Sequence, residues 1–486
     1  MRKFFKKYGY VILLGLIVLL GVLLRLKGLL DNPDLWHDEC ALAWNIKFKN
    51  YGDFFGILRF MQMAPPFFMI MTKLITNIFG LSDISLRILP FLAGIGSIIA
   101  FYFLAGKTMK SKAVALWAVF FFAINQRLIG YSFEFKQYNF DVFFTIICLL
   151  FFINLDLKKL SVKKSVLYGV LLSVVPWFSF TSVFIIVGGV INILFKIFKN
   201  KDKNSLFPIS YSLFPIIISC LIYLKIYLLN NYTCTHMVNY WQGSFLNANP
   251  VFFIYLLIDN MKYFFFPMMF ALLAFVLFFA GIDIFYREKS TFVEIFSISF
   301  ILLIIASLLH LYPFSSRLIL FLLPMFLLLM LKPLDKVLSA KKIKLVVVFL
   351  LTFFTFCPQI MAINSYIHTK NISRGEYPRE MMDYMIQNIK KDDNVFVNSA
   401  SDVEFAYYSS FYDIKNNVIQ ERVTNEPQEK YAAFLKDLKK GYYWFYLPYD
   451  SSRRPVFGQI LSWINTQKII YSTQKDKSVL MYVYIQ

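Results

Sequence analysis

Charge is scarce in this chain, at 16% of 486 residues, and acidic charge scarcest: 29 Asp and Glu stand against 50 Lys and Arg. With 58% hydrophobic residues and a mean hydropathy of +0.58, so little charge excludes a soluble globular protein. A polytopic membrane protein remains. Its net charge of +21 would suggest nucleic acid in a soluble chain. Most of the Lys and Arg instead fall in short links between apolar runs, as the positive-inside bias and anionic cytoplasmic lipid require, so nucleic acid is set aside as a partner. Cysteine is sparse too: Cys40, Cys148, Cys220, Cys234 and Cys357 lack metal spacing, and most fall in apolar runs as small buried hydrophobes. A Cys40–Cys234 disulfide is compatible with the expected topology and has no other support. His37, His236, His310 and His368 are too scattered to suggest a metal site. No internal repeat is visible.

What is present begins with a basic flank, MRKFFKK, and an apolar run from Tyr10 to Leu30, long enough to cross a core of about 30 Å. It is too long for a removable signal peptide and lacks a cleavage site. The flank places the N-terminus in the cytoplasm, so the stretch that follows, Asp31 to Asn45 with Trp36, Asp38 and Glu39, surfaces on the outer side. Residues 46–83 are amphipathic and broken by Gly52, Gly56 and Pro65-Pro66. Reading 67–80 as a helix lying in the interface keeps Lys107, Lys110 and Lys112 cytoplasmic. Further spans are expected at 87–106, 113–130, 140–155, a pair within 165–198, 205–229, 264–286, 292–310, 318–331 and 345–363, with 251–262 in plane. About eleven spans place the C-terminus outside.

From residue 364 charge rises and apolar runs shorten. Helices at 379–389, 429–439 and 454–463 alternate with strands at 394–398, 442–447, 468–472 and 478–485, a small α/β domain outside the membrane. It holds no Gly-rich phosphate fingerprint, which disfavours nucleotide binding. The expected domains are therefore 1–363 and 364–486.

Ionisable groups at membrane depth or at the mouth of a bundle are expensive and are functional candidates by default. On the outer side these are Asp38, Glu39, Arg87, Glu134, Lys136, Tyr138 and Arg317. Each has a plainer reading: Arg87 and Arg317 can snorkel to headgroups, Glu134 and Lys136 can be a solvated pair, and Asp38 or Glu39 can cap a helix. If the 131–138 loop is helical, Glu134 and Tyr138 share a face. Adjacent helical side chains diverge by about 100°, so one of the two acidic residues points into a cavity, and Asp38 is favoured. A carboxylate among cations suits transfer of a group from a phosphate leaving group, the carboxylate deprotonating the acceptor and the cations stabilising the departing phosphate. The same set suits a transporter of an anionic substrate.

Leu35-Trp36-His37-Asp38-Glu39, then Ala64-Pro65-Pro66-Phe67, Phe79-Gly80-Leu81-Ser82 with Arg87-Ile88-Leu89-Pro90, Tyr131 to Tyr138, and Tyr312 to Arg317 occur in the order of the GT-C membrane glycosyltransferases. The pattern resembles the branch with the dolichyl-phosphate-mannose protein mannosyltransferases and the aminoarabinose transferases, over residues 10–335. The resemblance implies a GT-C-like helical membrane domain with in-plane juxtamembrane helices, and an inverting glycosyltransferase with a polyprenyl-phosphate-linked sugar as donor. It implies as acceptor a lipid, glycan or protein on the outer face of a bacterial plasma membrane. It implies Asp38 and Glu39 as the catalytic motif, with Asp38 as base. Arg317, Lys136 and Arg87 are then donor-phosphate partners, and Glu134, Tyr138 and Trp36 sugar or acceptor contacts. No cofactor is required; paired carboxylates also suit a divalent cation, but the resemblance implies a metal-independent mechanism. Ala64 and Lys136 depart from the pattern, where a polar residue and Arg are common. The rival readings are a transporter or flippase of lipid-linked sugars, and an enzyme transferring a whole glycan or a phosphoryl group.

Overall fold

The computed structural model describes residues 2–201, 203–227, 235, 238–265, 271–340, 358–369, 375–420, 434–448, 455–476 and 478–486. Among these, six helical stretches are long and apolar enough to cross a membrane: Tyr8–Asp31, Asp83–Thr108, Ser182–Lys199, Ser205–Tyr223, Thr291–Leu308 and Ser316–Ser339. The protein is a multi-pass membrane protein. Helices suit that solvent because every interior backbone group is bonded within its own segment.

The first ten helices are α1 (Arg2–Asp31), α2 (His37–Phe48), α3 (Pro66–Phe79), α4 (Asp83–Thr108), α5 (Lys112–Ala123), α6 (Gln126–Gly130), α7 (Tyr138–Asn154), α8 (Val162–Val174), α9 (Ser182–Lys199) and α10 (Lys203–Tyr227). Then come α11 (Pro250–Phe264), α12 (Ala271–Arg287), α13 (Thr291–Leu308) and α14 (Leu323–Ala340). The α3 helix starts on Pro66 after Pro65 and stops at Gly80, whose φ of +82° ends the turn. Its 14 residues make a rod of about 21 Å, shorter than the hydrocarbon core. The expected last crossing, 345–363, lies mostly outside the described residues, as does Cys234. Cys40 is buried, its thiol donating to Leu35 O at 3.3 Å.

One span differs from expectation. The run 113–130 is not continuous: α5 ends at Ala123 and a separate short helix, α6, starts after Asn125. The cause is polar. Asn125 Oδ1 accepts from the N–H groups of Arg127 and Leu128, and its Nδ2 donates to Phe264 O at 2.7 Å, so it caps a new helix. Both ends of α5 are held by buried charges. At its start, Asp335 accepts from the N–H groups of Lys110 and Ser111 while pairing with Lys332 at 2.9 Å. At its finish, Arg25, wholly buried in α1, donates to Ala123 O at 2.8 Å and Gly21 O at 2.9 Å. A 12-residue helix spans only about 18 Å, so the chain turns back early and the 124–137 segment is recessed into the bundle.

The C-terminal part carries α15 (Pro378–Asn388), α16 (Asp402–Tyr408) and α17 (Pro455–Ile464) around a five-stranded sheet. Its strands are β1 (Asn394–Val397), β2 (Asn417–Gln420), β3 (Gly441–Leu447), β4 (Lys468–Lys475) and β5 (Ser478–Ile485), in the order β2-β1-β3-β5-β4. β1 lies parallel to β2 and β3, while β5 runs antiparallel to β3 and β4. Four strands fall where the alternation of apolar residues puts them. β2 and α16 are additional.

One face of the sheet shares a core with the juxtamembrane helices: Val395, Val397, Trp444 and Tyr446 pack with Met381 and Met385 of α15 and with Leu35, Ala41 and Phe68. That shared core runs across residue 364. Polar contacts join the same surfaces. Arg379 binds Asp34 at 2.9 Å and Asp83 at 2.8 Å, and the N–H groups of Arg379 and Glu380 reach the Asp34 carboxylate at 3.0 and 3.1 Å. Within the membrane bundle α12 crosses α14 closely at Gly281, where a Cβ would stand 1.9 Å from Leu329 O. Gly281→Val should therefore push these helices apart and lower the thermal midpoint in detergent, at a cost of about 1–3 kcal/mol. Gly106→Val, in open space, is the control.

Candidate active site

The acidic motif sits in the first turn of α2, where the helix dipole favours carboxylates. The two carboxylates diverge. Glu39 faces the bundle and receives Arg87 Nε at 3.0 Å and Nη2 at 2.9 Å, plus the backbone N–H of Phe135 at 2.5 Å. Arg87 Nη1 also donates to Pro33 O at 2.6 Å. Asp38 faces the other way: its Oδ2 lies 3.0 Å from Arg317 Nη2 and 3.6 Å from Lys136 Nζ. Exposure separates the two sets. Asp38 keeps 19% of its side chain exposed, Arg317 16% and Lys136 4%, whereas Glu39 and Arg87 keep 1% each.

Residues some 280 positions apart in the chain thus converge on one carboxylate. The structure brings together Asp38, Lys136, Arg317, Trp36 and Tyr138. The Arg317 guanidinium carbon lies 5.3 Å and Lys136 Nζ 5.8 Å from the Trp36 ring, and Arg317 lies 5.9 Å from the Tyr138 ring. Glu134 is buried one turn of loop from Lys136. Glu134 and Tyr138 share no helical face, because 131–137 is a series of turns and α7 begins only at Tyr138. Arg87 and Glu39 are not at the open side of the cluster: their mutual ion pair withdraws both from any substrate and makes them a support for the loop that carries Lys136. Three further contributors lie outside the sequence reading. Gln62 Oε1 accepts from Lys136 Nζ at 3.0 Å, Trp241 lies 5.6 Å from the Arg317 guanidinium, and Arg25 braces the recessed segment from beneath. Of these only Arg25 carried a signal, as a lone arginine inside an apolar run.

Burial is the largest influence on Lys136; together with the neighbouring Arg317 it outweighs the pull of Asp38, Glu39 and Glu134 and lowers the ammonium to about 8. Asp38 is the carboxylate that lies against both Lys136 and Arg317. It is flanked by positive charge, and Glu39 is occupied by Arg87. Among the described residues no three His, Cys, Asp or Glu side chains gather as metal ligands.

A helical membrane bundle with recessed loops at one end, an acidic motif after the first span and a small sheet domain beyond it make up the GT-C fold. No family model and no curated protein matches the sequence. Among solved structures the chain is similar to ArnT from Cupriavidus metallidurans, at 12% identity over 98% of both chains. The TM-score is 0.55 for the apo state and 0.57 for the form bound to undecaprenyl phosphate. It is also similar to the Archaeoglobus fulgidus oligosaccharyltransferase in complex with Zn and sulfate, at 14% identity, 89% of this chain, 68% of that one and a TM-score of 0.54. At such identities the likeness lies in the fold.

The Glu39–Arg87 pair yields a test of support against chemistry. Removing one partner of a buried pair leaves the other charge uncompensated, so Glu39→Gln and Arg87→Met should each cost about 3–5 kcal/mol. The double variant should recover part of that loss, a coupling read from thermal unfolding in detergent.

Proposed function

We propose that the chain is an inverting glycosyltransferase that moves a sugar from a polyprenyl-phosphate-linked donor to an acceptor hydroxyl or amine on a lipid, glycan or protein. The observation that carries this reading is the Asp38–Arg317–Lys136 cluster. The fold shared with a protein solved bound to undecaprenyl phosphate supports the choice of donor.

In this mechanism the donor phosphate engages Arg317 and Lys136. Asp38 accepts the proton of the acceptor nucleophile as it attacks the anomeric carbon from the face opposite the phosphate. The anomeric carbon–oxygen bond to phosphate breaks, its electron pair leaves with the carrier phosphate, and the configuration inverts. The extra charge on the departing phosphate falls on two cations already in place, so stabilisation needs no rearrangement when the bond breaks. Trp36 and Tyr138 supply apolar faces for the sugar, and Glu134 an acceptor for its hydroxyls. With MRKFFKK in the cytoplasm, the reaction takes place on the outer face of a bacterial plasma membrane.

The direct test is transfer from labelled undecaprenyl-phosphate sugar by purified protein in vesicles, with release of carrier phosphate. Intact donor crossing the bilayer without release would instead identify a flippase. Asp38→Asn should lower turnover by about 10²–10⁴ while leaving undecaprenyl phosphate binding at least as tight, since proton removal is lost and Arg317 is released from its carboxylate partner. Full activity in this variant would remove Asp38 as base. Binding should also depend on pH. Lys136 loses its charge as pH rises through about 8, so affinity for undecaprenyl phosphate falls above that point by up to about tenfold per pH unit. Lys136→Arg, which stays charged, should abolish the decline.

A further inference from the structure

The residue next to Asp38 is tied to the C-terminal domain. His37 Nδ1 lies 2.9 Å from Glu404 Oε1, and the His37 backbone N–H donates to Glu376 Oε2 at 2.9 Å. Glu404 comes from α16 and Glu376 from the segment leading into α15; they are 0% and 5% exposed. The first N–H groups of a helix need partners from outside it, and the extended residue before α2 is Trp36, which has no side-chain acceptor. The C-terminal domain supplies that acceptor through Glu376. From the same domain, Tyr408 accepts the Leu35 N–H at 3.1 Å.

Helical geometry gives these contacts a consequence for Asp38. Successive residues of α2 project about 100° apart, so His37 and Glu39 lie on either side of Asp38 around the helix. Glu39 is clamped by Arg87 of the membrane bundle and His37 by Glu404 of the C-terminal domain. With both flanks held, α2 cannot roll, and the direction of Asp38 is fixed. A shift of about 1 Å in a reacting group costs on the order of 10² in rate.

We propose that Glu404 is a positioning residue for glycosyl transfer: through His37 it sets the rotation of α2 and hence the aim of Asp38. The proposal rests on Asp38 being the base. It makes the C-terminal domain one wall of the machinery. Charge is part of the clamp. Burial works against the imidazolium, but the Glu404 carboxylate and its hydrogen bond, with Asp38 and Glu376 nearby, outweigh it and raise His37 to about 9. Asp402 also faces this group, with Arg59 near Asp402. A raised histidine stabilises the docked arrangement fully below its ordinary value near 6.5 and ceases to do so as pH climbs through about 9.

The test uses the full chain in vesicles and the variant Glu404→Gln, which keeps the size and a hydrogen-bond acceptor but removes the charge. Undecaprenyl phosphate affinity should stay within about twofold of wild type, while kcat falls tenfold or more. The variant's kcat should also decline between pH 6 and 8, where its unsupported His37 loses the proton; the wild type should show no such step. In ¹⁵N-histidine protein, the signal missing from His37→Gln should titrate with a midpoint well above free histidine and drop by at least one pH unit in Glu404→Gln. An unchanged kcat and pH profile despite that drop overturns the proposal. So does a loss that is uniform in pH and follows a lowered thermal midpoint, which marks a merely structural contact. A wild type that transfers no sugar overturns it too, and a normal midpoint shift in the same samples then places the fault in the glycosyltransferase reading.

Discussion

The buried ion pair between Glu39 and Arg87 is the constraint on which the rest of the site depends. It joins α2 to α4, and through the Phe135 N–H it also anchors the loop that delivers Lys136. An ion pair with 1% exposure on both sides is a costly way to hold two helices, because desolvation offsets much of the attraction. What it provides is direction. A hydrophobic contact at the same place would tolerate sliding and rotation, whereas a two-pronged guanidinium–carboxylate bond fixes the azimuth of Glu39. Asp38, one residue earlier, inherits that azimuth.

The recessed loop depends on a second economy of the same kind. In a bundle of full-length spans, residues 124–137 would surface with the headgroups. Here α5 stops after 12 residues because Arg25 takes its last carbonyl, that of Ala123, and Asn125 starts a new helix. Lys136 therefore sits low enough to be almost fully buried, and burial lowers its pKa. On the proposed mechanism an incoming phosphate offsets the missing solvation and holds Lys136 in its charged form.

Much of this was legible in the residues. The spans follow from apolar runs bounded by lysines, and the sheet from alternation in segments such as Tyr442 to Leu447. Asp38, Lys136 and Arg317 stand out because charge near a membrane mouth is expensive. The partition between them was not legible, since Asp38 and Glu39 are chemically alike and only the position of Arg87 decides which is turned inward. The break at Asn125 was hidden for a related reason: one polar residue in an apolar run looks harmless until its partner, Phe264 O, is known. Glu404 and Glu376 gave no local sign at all. Their partner lies more than 330 residues away, in a core shared between the two parts of the chain.

The pairing of Asp38 with Arg317 bears on how such a site avoids working out of turn. A carboxylate locked on a guanidinium at 3.0 Å is a poor base, because protonating it means giving up that attraction. On the proposed mechanism the donor phosphate competes for the same guanidinium, and the fork of Arg317 can turn from a carboxylate to a phosphate oxygen with little change in hydrogen-bond geometry. As Arg317 turns, Asp38 loses its nearer cation, and the phosphate also draws on the charge of the more distant Lys136. The base strengthens when the donor is seated, so acceptor activation and leaving-group stabilisation are coupled through one arginine. A lysine at position 317 would neutralise charge as well but would lack the fork, and the coupling would weaken even if donor affinity were kept.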